Sequence, residues 1–324
     1  MSATRRVELS VGLRNFERSG SGEALAERLL ATAVALDELG VDRVVLSDHV
    51  LFGSDLSAYG DPAEGGLAGG VQPTGPDGVW MEPLSVAAFL AARTRHLRLA
   101  TGIVIAALRR PVVLAKSVAT IEALSGGRLD LGVGVGWQRA EYEAAGLDFA
   151  DRGRLLDDTL ATCARLWTGE PVELDGGAGP VVVQSRPEAT VPVWVSGSVS
   201  GPVVRRTARF GVGWIPWGRS LSEPERGLRS FRSALAHELD QAAADGIRTP
   251  LGDAGDLRAA LALRVPAPEA GSALGDTVRS ALAGVPALLE AGFDDLRVSV
   301  APSGVPLLDT VAELRAQLDD LVGR

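Results

Sequence analysis

A histidine stands at the end of the second predicted strand, where Ser47, Asp48 and His49 follow the apolar run RVVL. Histidine is the side chain that exchanges protons most easily near neutral pH, because its ordinary pKa is about 6.5. Its position after a strand and ahead of a long loop favours a catalytic role for His49 in proton transfer. The alternative is a structural histidine in a strand-end turn.

A group of small polar residues precedes a helix that is predicted over residues 201–210. Backbone N–H groups at a helix N-terminus carry positive partial charge, and small residues leave them accessible to a phosphate. Arg205 lies within about one turn and can add a charge-assisted hydrogen bond. The segment predicts a phosphate-binding site, with an ordinary serine-capped helix as the alternative. Its predicted binding residues are Ser196, Gly197, Ser198, Ser200, Gly201 and Arg205.

Glycine occupies alternate positions of another predicted strand, at Gly132, Gly134 and Gly136, and Trp137 follows. The dinucleotide fingerprint G-x-G-x-x-G would need a glycine in place of Trp137, so the sequence disfavours a Rossmann nucleotide site. Glycine at alternate positions removes the side chains from one face of a strand. The pattern fits two arrangements, either close packing within a barrel or the approach of a flat ring to the backbone.

The third predicted strand ends in Thr101, Gly102 and Ile103. Glycine followed by a β-branched residue at the end of a strand is typical of a bulge that redirects the chain. We therefore expect a bend in the backbone at these three residues.

Composition excludes several classes of function. The 324 residues carry a net charge of −9 without a basic block, whereas nucleic-acid binding depends on clustered cations. The single cysteine, Cys163, rules out an intramolecular disulfide, and three isolated histidines predict no metal site. The first residues lack the apolar segment of a secretory signal, and the longest apolar stretch is too short to span a bilayer. We therefore expect a cytoplasmic protein that does not bind membranes.

Short β-branched runs alternate with amphipathic segments along the chain, in about eight pairs. Alternation predicts a parallel sheet, because each crossover between parallel strands needs a helix. The number of pairs favours a single α/β domain over residues 1–324, a (β/α)8 TIM barrel with insertions, over an open doubly wound sheet. The predicted strands cover residues 7–13, 42–47, 96–104, 128–135, 192–195, 212–215, 257–265 and 294–300. The main predicted helices cover residues 23–39, 83–94, 111–124, 201–210, 223–245, 276–291 and 306–322.

Residues 51–82 fit neither the strand nor the helix period and are rich in Gly, Pro and Asp. Loops of this length inside a compact domain are usually functional or disordered. Because loops after barrel strands lie on the catalytic face, residues 51–82 are predicted to form a lid, with a disordered excursion as the alternative. A second glycine-rich stretch, residues 170–184, is predicted to be a surface hairpin.

Several motifs together resemble those of the luciferase-like monooxygenase superfamily, and most closely its branch that uses coenzyme F420, a deazaflavin. The resemblance covers residues 7–217 well and the remainder only loosely. It rests on SDHV (47–50), WMEPL (80–84), TGIVIAALRRPVVLAKSVATIEALSGGRLDLGVGVGWQRAEYEAAG (101–146), RGRLLDDTL (152–160) and VWVSGS (193–198).

The resemblance implies a bacterial luciferase-like barrel that holds a cofactor ring against the third strand. It implies a non-prolyl cis peptide between Gly102 and Ile103, behind the ring. It also places Asp48 and His49 at the reactive edge of the ring as the catalytic residues, with His49 as proton donor or acceptor. The implied cofactor-binding residues are Thr101, Gly102, Ile103, Gly134, Gly136, Trp137, Ser196, Gly197, Ser198, Ser200, Gly201 and Arg205.

Trp137 departs from the pattern of the sugar-phosphate dehydrogenases in this branch, which carry an acidic residue at the corresponding position. An indole cannot act as an acid or a base, although it can form an apolar wall. Sugar-phosphate oxidation is therefore not expected. Glu141, one helical turn further along, is a candidate replacement for the missing acid.

The resemblance predicts an oxidoreductase that transfers a hydride between F420 and a small organic substrate. The first alternative is a monooxygenase that uses reduced FMN supplied by a separate reductase. The second is a barrel that binds a flavin or another ligand without catalysis. The resemblance also implies a homodimer, while the substrate and the direction of the reaction stay open.

Overall fold

The computed structural model describes residues 6–18, 21–53, 55–60, 71–75, 77–174, 177, 179–184, 186–187, 189–302 and 304–323. Within these residues the chain forms thirteen β-strands and ten α-helices. The strands are β1 (Glu8–Gly12), β2 (Phe16–Glu17), β3 (Arg43–Leu46), β4 (Val79–Trp80), β5 (Arg98–Thr101), β6 (Val104–Ile105), β7 (Leu129–Gly134), β8 (Val172–Glu173), β9 (Pro180–Val181), β10 (Val193–Gly197), β11 (Gly213–Pro216), β12 (Arg258–Val265) and β13 (Asp295–Val300). The helices are α1 (Gly22–Glu38), α2 (Pro83–Ala91), α3 (Pro111–Ser125), α4 (Arg139–Ala144), α5 (Arg152–Trp167), α6 (Gly201–Phe210), α7 (Pro224–Ala244), α8 (Leu274–Leu282), α9 (Val285–Glu290) and α10 (Leu307–Val322).

Eight of the strands close into a parallel barrel. Their order around the barrel is β1, β3, β5, β7, β10, β11, β12 and β13, and β13 pairs with β1. Each of the eight neighbouring pairs is parallel. Because β7 pairs with β10, the sheet closes on itself instead of remaining open. The predicted (β/α)8 TIM barrel is confirmed, and the doubly wound alternative is excluded.

Local sequence signals set the ends of the helices that surround the barrel. The Ser21 side chain caps α1 by accepting a hydrogen bond from the backbone of Ala24. Proline begins α2 and α3, where a missing backbone N–H leaves no helical bond unmade. Gly126 ends α3 in the left-handed conformation, with φ of +66°.

The strands begin with charged residues that point into the barrel and pair there. Arg43 is fully buried, and its guanidinium lies 2.6 Å from Asp130, 3.0 Å from Asp295 and 2.7 Å from Glu8. Burial opposes the charge on Arg43, but the three carboxylates outweigh it and raise the pKa of the guanidinium. Trp194 packs among these charges, with the guanidinium carbon of Arg43 5.5 Å from its ring. This ionic layer closes the end of the barrel opposite the catalytic face.

Three predicted segments differ in detail. The strand predicted over residues 96–104 is interrupted, because β5 ends at Thr101 and β6 begins at Val104. The helix predicted over residues 276–291 is divided into α8 and α9. Within residues 51–82, β4 pairs antiparallel with β2, while residues 54, 61–70 and 76 lie outside the described part of the chain. The lid therefore stays a prediction.

The hairpin predicted over residues 170–184 is confirmed by the antiparallel pairing of β8 with β9.

Candidate active site

The predicted site residues lie at or just after the carboxyl ends of four strands that are consecutive neighbours in the barrel, namely β3, β5, β7 and β10. Because these strands are parallel, their carboxyl ends meet on one arc of the catalytic rim. Asp48 and His49 follow β3, the Gly102–Ile103 bend follows β5, Trp137 follows β7, and the small polar segment begins at the end of β10. Residues from distant parts of the sequence are thus brought to one side of the barrel mouth.

The His49 ring is held by a buried carboxylate. Its Nδ1 atom lies 3.2 Å from Oε1 of Glu141, and the same oxygen accepts a 2.7 Å hydrogen bond from the backbone N–H of Val50. The second oxygen of Glu141, Oε2, is buried and has no hydrogen-bond partner among the described residues. An ionised carboxylate only accepts hydrogen bonds, so this contact favours the tautomer with its hydrogen on Nδ1. In the neutral ring, Nε2 is then the atom that can accept a proton.

Asp48 has a different environment from its neighbour. Its carboxylate is buried and paired with Arg109, whose guanidinium donates at 2.6 Å to Oδ2 and at 3.1 Å to Oδ1. The backbone N–H of Ile105 adds a 2.9 Å bond to Oδ2, and Arg109 also contacts Glu82 at 2.8 Å. Burial lowers the pKa of Arg109, but the two carboxylates outweigh it and raise that pKa. The ion pair fixes the end of β3 against the chain that follows β6, and it gives Asp48 a positioning role.

A non-prolyl cis peptide joins Gly102 and Ile103, where the resemblance places it. The backbone N–H of Gly102 donates to the carbonyl of Leu46 at 2.7 Å. A Cβ atom on Gly102 would collide with the side chain of Val45, so glycine is required at the bend. Thr101 is completely buried, and its hydroxyl donates at 2.7 Å to the carbonyl of Gly132. Its side chain therefore lies within the sheet and not at the rim.

The alternating glycines in and just after β7 face alternate residues of the neighbouring segment 101–105, which runs from the end of β5 into β6. A Cβ on Gly132 would collide with the carbonyl oxygen of Thr101. At Gly134 it would lie 3.1 Å from the side chain of Ile103, and at Gly136 it would lie 3.1 Å from that of Ile105. Of the two arrangements that the sequence allows, close packing is thus observed at all three positions. Direct contact of Gly134 and Gly136 with a cofactor stays a prediction.

The predicted phosphate site lies at the N-terminus of α6. Ser200 is the N-cap residue, but its side chain makes no capping hydrogen bond. The exposed Arg205 folds back over this end of the helix, since a Cβ on Gly201 would lie 3.0 Å from Nη1 of Arg205. By contrast, Arg206 is buried and bonds Asp157 at 2.6 Å. The helix therefore presents its free N–H groups and one accessible cation on the same side.

Three aromatic rings contact His49 and two more pack against those three; of the five, the sequence indicates only Trp137. The ring centroid of His49 lies 4.5 Å from Phe52, 4.8 Å from Trp80 and 5.8 Å from Trp137. Two further rings extend the cluster. Phe16 stacks on Trp80 at 4.2 Å, and Tyr59 meets Trp137 edge-on at 5.4 Å. We call this cluster the aromatic wall; its members are Phe16, Phe52, Tyr59, Trp80 and Trp137.

Asn15 is a second residue that sequence reasoning misses. It is fully buried, and its side-chain amide donates to the carbonyls of Ser47 at 2.8 Å and Met81 at 2.6 Å. Its Oδ1 atom accepts the backbone N–H of Ser47 at 3.1 Å. Asn15 thus ties the end of β3 to the segment that follows β4. A lone asparagine outside any periodic pattern gives no signal of such a role.

Two structural absences concern the described residues alone. Among them, no three His, Cys, Asp or Glu side chains are placed to share a metal ion. In the same residues, no helix combines the length and apolar character needed to cross a membrane.

Cys163 is buried, and desolvation raises the pKa of its thiol to about 12. A buried thiol with a raised pKa has little thiolate character and does not act as a nucleophile.

Comparison with known proteins places the chain in a family. Residues 6–247 match the profile of the luciferase-like monooxygenases. The chain therefore belongs to the luciferase-like monooxygenase family.

Among curated relatives, the F420-dependent glucose-6-phosphate dehydrogenase of Amycolatopsis mediterranei (strain U-32) is 32% identical over 195 residues, or 58% of this chain and 52% of that protein. The protein of the same name from Beutenbergia cavernae is 32% identical over 238 residues, which cover 71% of this chain and 62% of the relative. The matches thus span about half the length of the first of these relatives and somewhat more of the second.

Solved structures share the architecture at low sequence identity. An F420-dependent secondary alcohol dehydrogenase in complex with an F420-acetone adduct superposes with a TM-score of 0.70 at 14% identity, over 96% of this chain and 98% of the other. The EDTA monooxygenase of Chelativorans sp. BNC1 gives a TM-score of 0.70 at 15% identity, over 98% and 94%. At these identities the likeness establishes a shared fold.

Proposed function

We propose that the protein is an oxidoreductase that transfers a hydride between coenzyme F420 and a small organic substrate. The proposal is carried by one observation: His49 is held by Glu141 on the same arc of the barrel rim as the Gly102–Ile103 bend and the Arg205 cation. The similarity to the F420-dependent glucose-6-phosphate dehydrogenases of Amycolatopsis mediterranei and Beutenbergia cavernae supports F420 as the cofactor.

The residues at the rim fit a ring that carries a phosphate. Ile103 is half-buried and packs against Gly134, so it offers an apolar ledge without side chains crowding it from β7. The N-terminus of α6, with Arg205 above Gly201, offers the anion site. Gly102 and Ile103 would support the ring, and the segment from Ser196 to Arg205 would hold the phosphate. When bound, F420 supplies two-electron hydride chemistry.

The chain's own residues manage the proton and the surroundings. His49 exchanges a proton at Nε2, because Nδ1 is directed at the Glu141 carboxylate. Asp48 and Arg109 fix the backbone on which His49 stands. The aromatic wall covers the histidine and leaves only 10% of its side chain exposed, which restricts the access of water. Such positioned acid–base groups typically contribute about 10²–10⁴-fold to a rate.

Fluorescence titration of the purified protein, with F420 and FMN in separate experiments, tests the proposal. We expect F420 to bind with a submicromolar Kd and FMN to bind more weakly. Submicromolar binding of FMN without binding of F420 would overturn the proposal in favour of the FMN-dependent monooxygenase, which needs a separate reductase. Binding of neither cofactor would favour the non-catalytic barrel.

Residues 51–82 are proposed to act as the lid of this site. The support is that Phe52 and Trp80 lie in this segment and contact the His49 ring, while Tyr59, also in this segment, contacts Trp137. Part of the segment, residues 54, 61–70 and 76, lies outside the described residues. The homodimer that the resemblance implies also stays a prediction.

A further inference from the structure

The aromatic wall concentrates a scarce kind of residue at the rim. The whole chain has 15 aromatic residues, seven Phe, two Tyr and six Trp, and five of them form the wall. All five are half-buried, and none belongs to the hydrophobic core or packs against it. Large rings outside the core forgo part of the stabilisation that complete burial would give. Their position therefore points to a purpose other than folding.

The wall consists of two groups of rings that His49 joins. In the first group Trp80 stacks on Phe16 at 4.2 Å with an interplanar angle of 22°, and it lies 5.5 Å from Phe52. In the second, Tyr59 meets Trp137 edge-on at 5.4 Å with an angle of 85°. His49 contacts Phe52 and Trp80 in the first group and Trp137 in the second. The His49 ring, which exchanges the proton, thus lies between two groups of aromatic rings.

Separate segments of the chain deliver these rings. Phe16 and Trp80 are register partners on β2 and β4, Phe52 follows β3, Tyr59 lies in the short helix Ser57–Gly60, and Trp137 follows β7. The Trp80 indole also donates a hydrogen bond to the carbonyl of Ser47 at 3.2 Å, which fixes its ring beside the end of β3. Convergence of several segments, with one ring anchored, indicates a built surface.

We propose that the aromatic wall is the substrate-binding surface of this protein and that it selects a planar, uncharged ring compound. The reaction of such a ring compound rests on the proposed function. Its binding to the aromatic wall does not, because binding needs no cofactor. Aromatic side chains prefer stacked or edge-to-face contact with flat π-systems. No member of the wall carries an ionised side chain at neutral pH. A sugar phosphate offers neither a flat face nor an uncharged surface.

Isothermal titration calorimetry with a matched pair of probes tests the wall without any cofactor. The probes are 2-naphthol and decahydro-2-naphthol, which share a carbon skeleton and a hydroxyl group but differ in planarity; glucose 6-phosphate is the third probe. We expect 2-naphthol to bind at least tenfold more tightly than its saturated counterpart, and glucose 6-phosphate not to bind. Equal affinity for the two naphthol probes, or tighter binding of glucose 6-phosphate, would overturn the proposal.

Variants locate the binding. We expect Phe52→Ala and Trp137→Ala each to weaken 2-naphthol binding at least tenfold. Phe52→Leu, which keeps an apolar side chain but removes the ring, should weaken it similarly and supplies the measurement if an alanine variant does not fold. The control is Phe89→Ala, because Phe89 is 45% exposed on α2 and outside the wall. Unchanged affinity in the wall variants would refute the assignment.

The F420 titration separates this proposal from the proposed function. Binding of 2-naphthol at the wall together with failure to bind F420 would remove the proposed function and leave the wall's specificity standing. Binding of F420 together with failure to bind 2-naphthol would overturn the proposal for the aromatic wall and leave the proposed function standing.

Discussion

The Oε1 atom of Glu141 lies 3.2 Å from Nδ1 of His49 although the two residues are 92 positions apart in the sequence. The same oxygen holds the backbone N–H of Val50, so one buried carboxylate sets both the ring and the chain just after it. Glu141 therefore acts as a positioning residue.

We expect His49→Ala to lower kcat by about 10²–10⁴-fold, the usual contribution of a positioned acid–base group. Glu141→Gln should lower kcat by about tenfold, a fraction of that contribution, because the amide oxygen can still accept from Val50 while the negative charge is lost. Steady-state kinetics across pH 5–9 measure both effects. An unaltered pH profile in Glu141→Gln would contradict the assigned role, and unchanged F420 binding is the control in both variants.

Arg205→Ala should weaken F420 binding by roughly ten- to a hundredfold, the range that corresponds to one lost hydrogen bond to a charged group. Arg205 lies over the N-terminus of α6, whereas Arg209 is exposed in the last turn of the same helix. Arg209→Ala is thus the matched control, and fluorescence titration is the measurement. Equal loss of affinity in the two variants would show that only the general charge of the helix matters.

Asp48→Ala should lower the free energy of unfolding by about 1–3 kcal/mol, because the largely buried Arg109 keeps only Glu82 as its ion-pair partner and the backbone N–H of Ile105 loses its acceptor. Urea denaturation followed by circular dichroism measures this change. Arg154→Ala breaks two ion pairs, with Asp151 and Asp158, whose side chains are all largely exposed, and it should have no measurable effect. A stability loss in Asp48→Ala no larger than in Arg154→Ala would mean that the buried pair does not hold the end of β3.

Asp130 makes the stability of the barrel depend on acid pH. Burial alone would raise the pKa of this carboxyl, but Arg43 and Arg98 outweigh it and lower the pKa from 3.8 to about 2. A lowered pKa in the folded state means that the stabilisation is complete above pH 4 and is lost as the pH falls from about 4 to about 2. The difference corresponds to roughly 2 kcal/mol. Urea denaturation at pH 5, 4 and 3 should show a shallower pH dependence for Asp130→Asn than for the unsubstituted protein, and equal slopes would contradict the assignment.

Periodicity and turn signals predict the fold well because they are local. The bounds of α6 are predicted without error, since small residues and proline precede or begin it and Gly211 follows it. The strand count leads to the barrel because a helix must connect each parallel pair. The burial of charged residues at the start of the barrel strands, such as Arg43 and Asp295, gives no such signal, because a charge at a strand end is usually exposed to solvent.

The site is predicted less completely, because its contacts connect distant segments. The sequence indicates His49 and Arg205 through their positions after a strand and within the first turns of a helix. It offers Glu141 only as a replacement for an acid at position 137 and does not foresee its contact with Nδ1 of His49. The aromatic wall depends on the pairing of β2 with β4, two strands of two residues each that are too short to leave a pattern. The glycine run fits both close packing and the approach of a flat ring, and only the residues that face it in the structure distinguish the two.

The matched spacing of Gly132, Gly134 and Gly136 with Thr101, Ile103 and Ile105 has a consequence for protein engineering. The two segments are sterically complementary, because each glycine leaves the space that one residue of the facing segment occupies. A chimaera that imports the 101–105 bend from a relative without also importing its 132–136 partner would bring a mismatched surface into the barrel wall. Recombination or directed evolution of this rim should therefore exchange both segments as one cassette.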